Sequence, residues 1–60
     1  MRNEIIDSAN KARLLKHLPQ KGRPVYQVVW LECGTFCQGR IVSRLRNARA
    51  DLKRAAVRSY

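Results

Sequence analysis

Between Cys37 and Leu52 the sequence sets arginines, amides and a serine at intervals that suit hydrogen bonding to phosphates and base edges. At about 100° per residue, Ile41, Leu45, Ala48 and Leu52 align on one apolar stripe of a helix, while Arg40, Ser43, Arg46 and Asn47 point away from it. One face suits a core and the other a partner. An arginine fork matches guanine and a glutamine amide matches adenine. Gln38, Arg40, Ser43, Arg46 and Asn47 are therefore the candidate base contacts. Arg44, Arg49, Lys53 and Arg54 flank them as candidate phosphate contacts, which supply salt-dependent affinity and little sequence information. Lys21 and Arg23, further up the chain, are in reach of phosphate as well.

Other chemistries find less support. Cys33, Cys37 and the single His17 offer at most three soft ligands where structural zinc takes four, so neither a metal nor another cofactor is expected. Both cysteines read as buried free thiols. Cys37 and His17 make a formal nucleophile pair, but no acid to orient the histidine is in evidence, and the chain does not read as an enzyme. Tyr26 and Trp30 can stack on the bases of a single strand. In a chain with one Trp and little core, packing is the preferred role for both.

The composition agrees with an anionic partner. Thirteen Lys and Arg stand against four Asp and Glu, a formal charge of +9, with a pI near 10.9. From Arg40 onward seven basic residues meet one acid, Asp51, so the last third carries +6. Sixty residues allow one domain, burying roughly 60% of its extended-chain surface with a few kcal/mol of stability. With two cysteines, no signal peptide and no long apolar run, the chain reads as intracellular and reduced, a cytoplasmic protein. At 45% hydrophobic residues it is expected to fold, alone or as an oligomer.

Several elements are needed to position the basic stretch. Asp7 or Ser8 is a candidate N-cap for a helix over about 8–18, with Leu14, Leu15 and Leu18 as core contacts. Pro19 and the segment through Gly22 to Pro24 end it. Residues 25–33 support two readings. Their Val, Tyr and Trp content favours a strand, with Cys33-Gly34 closing a hairpin in which Tyr26, Val28, Trp30, Cys37 and Ile41 share a face. In that hairpin Gly39 sits opposite Val28. The helical reading starts at Pro24 and ends at Gly34, after which Phe36 plugs the angle between two helices. Propensity alone tips toward the hairpin. Beyond Asp51, the helix either runs on through Ala55 and Ala56 or gives way to a wing strand over 52–60.

The order of residues from Asn10-Lys11-Ala12-Arg13-Leu14-Leu15-Lys16-His17-Leu18, through a Gly/Pro linker and Trp30, to Gly34-Thr35 and Arg40-Ile41-Val42-Ser43-Arg44-Leu45-Arg46 resembles small winged-helix, helix-turn-helix domains of phages and prophages. The run from Gly39 to Leu52 is also similar to the last helix of the promoter-binding region of bacterial sigma factors. The resemblance implies a mainly α, three-helix fold with helices near 8–18, 24–33 and 37–50, the third in the DNA major groove. It moves residues 25–33 from hairpin to helix. The alternative fold is α+β, in the order αββα. The function it implies is that of a small DNA-binding regulator, acting as a homodimer or cooperatively on double-stranded DNA. A basic inhibitor or adaptor of a host protein is the second expectation, and an RNA-binding module the third.

Overall fold

A computed structural model describes residues 2–59, and these form a four-stranded antiparallel sheet covered on one face by a C-terminal helix. The strands are β1 (Arg2–Ala9), β2 (Ala12–Leu18), β3 (Val25–Glu32) and β4 (Thr35–Val42), and the helix is α1 (Leu45–Arg58). Each strand pairs with its chain neighbour, giving the order β1-β2-β3-β4.

This corrects the three-helix, winged-helix expectation and equally the αββα alternative. Residues 8–18 are the end of β1, a turn and β2, so Asp7 and Ser8 lie within a strand and cap nothing. Residues 24–33 are β3 and its flanks, where β-branched and aromatic side chains prevail over a helical reading. Of 37–50, the first part is β4 and the helix begins only at Leu45. The helix then continues through Ala55 and Ala56 to Arg58, which removes the wing.

The turns follow from local chemistry. Cys33 (φ 51°) and Gly34 (φ 80°) are both left-handed, the backbone that a two-residue hairpin loop between Glu32 and Thr35 requires. Asn10 (φ 53°) does the same between Ala9 and Ala12, and asparagine tolerates that region well.

Alternation along the strands sets two faces. Ala12 and Leu14 pair with Trp30 and Val28, and this face receives Ala48, Leu52 and Ala55 from α1. Tyr26, Trp30, Val42 and Leu45 pack around that cluster, so both large aromatic rings serve the core. Leu14 and Val28 are its fully enclosed large side chains. Leu15, by contrast, points to the uncovered face, and Phe36 on β4 is 58% exposed there instead of plugging an interhelical angle.

A bulge in β4 sets Gly39 and Arg40 opposite Val28, between the pairs Gln27↔Ile41 and Val29↔Gln38. Tyr26, Val28, Trp30 and Cys37 share a face as the hairpin predicts, but the extra residue sends Ile41 to the other one. The bulge needs a glycine because a Cβ at Gly39 would lie 3.0 Å from Val28 O and 3.3 Å from Trp30 Cζ3. Gly39→Ala is expected to destabilise the fold by about 1–3 kcal/mol, visible as a lowered midpoint in thermal denaturation. β1 carries a second irregularity between Ile5 and Asp7, so both edge strands are bent, a feature that discourages edge-to-edge pairing.

Candidate nucleic-acid interface

Helix α1 is anchored by Leu45, Ala48, Leu52 and Ala55, and this places Arg46, Arg49, Ala50, Lys53, Arg54, Val57 and Arg58 on its outer surface. Two alanines on the inner side, Ala48 and Ala55, let the helix lie close to the sheet. Its last turn is fastened to the β1–β2 turn. Asn10 Nδ2 donates to Ala56 O at 2.9 Å, and Lys11 N donates to Ser59 Oγ at 3.3 Å.

Acidic residues sort the outer cations into engaged and free. Asp51 accepts from Arg40 through Nε (3.1 Å) and Nη2 (3.3 Å), and Arg54 approaches it at 3.7 Å. Arg49 pairs with Asp7 of β1 at 3.3 Å. Arg44, Arg46, Lys53 and Arg58 have no acidic partner among the described residues. These four are the cations of the helix and its N-cap able to meet phosphate without first breaking an ion pair among the described residues.

The start of α1 adds to this potential. Its N-cap is Arg44, in extended backbone (φ −112°, ψ 130°), with no side-chain cap and no acid in the first turn. The first amides are left without internal partners, and the positive helix end is flanked by Arg44 and Arg46. Strand pairing brings the β2–β3 loop, with Lys21 and Arg23, to the same end of the sheet, since His17 pairs with Val25 and Tyr26 with Val42. Ser43 stands one residue too early to cap. Arg44→Asp should therefore stabilise the fold by roughly 0.5–1.5 kcal/mol, raising the thermal midpoint by about 4–8 °C per kcal/mol, while weakening binding to phosphate. Calorimetry and a binding titration on the same variant check both signs.

The five candidate base contacts do not converge. Gln38 lies on the uncovered sheet face, opposite Val29. Arg40, turned by the bulge, is spent on Asp51. Ser43 is in the link before the helix, and only Arg46 and Asn47 share the exposed side of α1. Among the phosphate candidates, Arg44, Arg49, Lys53 and Arg54 follow the helix, while Lys21 and Arg23 sit in the exposed loop at its N-terminal end. Arg58 is not among the sequence candidates, because the helix of the resemblance ends near residue 50, whereas α1 reaches Arg58. Its signal was present in Ala55 and Ala56, helix formers that carry the apolar stripe past Asp51.

The remaining chemistry is dispersed. Cys37 lies on the helix side of β4, whereas His17 projects from the other face of β2 between Asn3 (Nδ1 to Oδ1, 2.7 Å) and Gln27 (Nε2 to Oε1, 3.2 Å). The two do not form a pair. Both cysteines are free thiols, but neither is fully buried as expected: Cys33 is exposed in its turn and Cys37 half-buried. Among the described residues no three His, Cys, Asp or Glu gather as a metal site. Shallow grooves flank α1, one of about 310 Å³ floored by Val28, Trp30 and Gly39 and one of about 570 Å³ beside Asp7 and Ala9. Among the described residues no helix is long and apolar enough to cross a membrane. Comparison with protein-family models, with curated proteins and with solved structures finds no match for this chain.

Proposed function

We propose that this chain binds duplex DNA through the outward face of α1, holding phosphates more than reading bases. It acts in the cytoplasm as a small architectural or regulatory factor. The observation that carries this reading is the set Arg46, Lys53 and Arg58, which lie on the exposed side of one sheet-anchored helix and have no acidic partner among the described residues. A 14-residue helix spans about 21 Å, enough to follow phosphates along a groove wall. With the base-contact candidates scattered over both faces of the sheet, sequence discrimination by this surface is small.

Fluorescence anisotropy of a labelled duplex, titrated at several salt concentrations, tests it. The expected slope of log K against log[salt] is about −3 or steeper, at about 0.9 per phosphate contact. No binding at low salt overturns it.

A second reading has its own observation. Val57 is 84% exposed on the outer side of the helix, and with Ala50 it gives the basic surface an apolar centre. That is the pattern of a protein contact, an apolar anchor inside a charged rim. A partner with an acidic surface that stays bound after nuclease treatment, and that Val57→Glu releases, would favour this adaptor or inhibitor role over DNA.

A further inference from the structure

We infer that the uncovered face of the sheet is a homodimer interface, on which two copies pack sheet against sheet with their α1 helices outward. The apolar distribution motivates it. The core cluster is half alanine, comprising Ala12, Leu14, Val28, Ala48, Leu52 and Ala55. The opposite face carries Ile5, Leu15, Val29, Leu31, Phe36 and Ile41. Ile5, Ile41 and Phe36 there are 65%, 62% and 58% exposed. Adjacent apolar pairs in the central strands, Leu14-Leu15 and Val28-Val29, are what strands covered on both faces contain.

Charge selects a second copy as the occupant. Among the residues that strand pairing sets on this face, Arg13 alone is a lysine, arginine or acid. Its Nη1 is folded back onto Asn10 O (3.0 Å) and Ala12 O (2.9 Å). Two chains of +9 can meet here while their helix arginines stay apart, which no other broad face allows.

The polar groups on the face are ready to be covered. Asn3, His17 and Gln27 form a row across β1, β2 and β3 that ends with Gln27 Nε2 donating to Gly39 O on β4 at 3.0 Å. A neutral His17 donates from one ring nitrogen, to Asn3 Oδ1 or Gln27 Oε1, and Gln27 Nε2 gives one N–H to Gly39 O, so much of this row is already paired within the chain when a partner covers it. Four strands of seven or eight residues offer a face of about 25 by 19 Å. Two such faces bury on the order of 1,000 Å², the lower bound of a specific interface. The pairing is isologous and closes on itself.

This arrangement deepens the proposed function and, in that respect, rests on it. Four layers about 10 Å apart put the two helices about 30 Å from one another and facing opposite ways. One dimer then holds two duplexes.

Analytical ultracentrifugation of the full chain without nucleic acid is the first test, with Phe36→Glu/Ile41→Glu as the variant and circular dichroism as the check on folding. The expected result is a species of about 14 kDa, against a chain of 7.0 kDa, that the double substitution weakens at least a hundredfold without altering the spectrum. The milder Ile41→Thr, which suits a strand, should weaken it about tenfold and serves if the double variant fails to fold. A wild-type chain that stays monomeric at ~100 μM, or a dimer indifferent to these substitutions, overturns the inference. So does a monomer that binds neutral phosphatidylcholine vesicles through this face.

Capture of a labelled duplex on an immobilised one then separates the two proposals. The double variant should bind single duplexes as wild type does and lose bridging. Absence of all duplex binding by a proven dimer would sink the DNA reading and leave the interface standing.

Discussion

Replacing Arg46, Lys53 and Arg58 together with alanine is expected to lower duplex affinity roughly 100-fold at low salt and to flatten the salt dependence by about 2.7, three phosphate contacts at about 0.9 each. The fold should survive unchanged, because the three side chains are exposed and alanine is the best helix former. A matched control sharpens the test. Arg40→Ala with Arg49→Ala and Arg54→Ala removes three charges that Asp51 and Asp7 already hold, so its effect on affinity should be clearly smaller. Net charge alone would make the loss track the number of cations deleted; the helix surface makes it depend on which ones. Anisotropy titrations of both variants at four salt concentrations decide between these outcomes.

Leu14→Ala is expected to leave the protein largely unfolded at 25 °C. Leu14 is completely buried and, with Val28, one of the two fully enclosed large side chains of the core. Truncating such a residue costs about 2–5 kcal/mol, which matches or exceeds what a domain of this size has to lose. The neighbouring Leu15→Ala provides the contrast. Leu15 lies on the uncovered face, where its removal should cost a monomer less than about 1.5 kcal/mol and a dimer more. Urea denaturation followed by circular dichroism, run at two protein concentrations, reads both effects.

These two leucines also show where the sequence is ambiguous. Leu14, Leu15 and Leu18 fit the side of a helix, and nothing in Ala12 to Leu18 states that Leu14 and Leu15 face opposite ways. For residues 25–33 the resemblance favours a helix, whereas the strand preference of their Val, Tyr and Trp content governs. The hairpin over 25–42 was legible in the left-handed pair Cys33-Gly34 and in Gly39. The bulge was less so, because counting by twos from Cys37 predicts the wrong face for Ile41 once one residue is inserted. Of the apolar stripe, Leu45, Ala48 and Leu52 are helical and inward, while Ile41 belongs to the sheet.

The site was legible to a similar extent. Composition located the cations, but their division into free and engaged depends on Asp7 and Asp51, and the Asp7–Arg49 pair joins residues far apart in the chain. No local pattern displays such a pairing. Arg40 had the chemistry of a base contact, and only the turn of the bulge shows that its fork is spent within the protein.

The order of the strands bears on how the chain reaches this state. Every strand partner is the next strand along, so the sheet can assemble by successive closure of short loops, each a microsecond-scale event. The helix is different. Its final turn closes onto Asn10 and Lys11, near the opposite end of the chain, so that docking spans the longest loop in the molecule. Until it occurs, Leu14 and Val28 lack their cover. The four strands precede α1 in the chain, so the element that seals the core follows in sequence the sheet it covers.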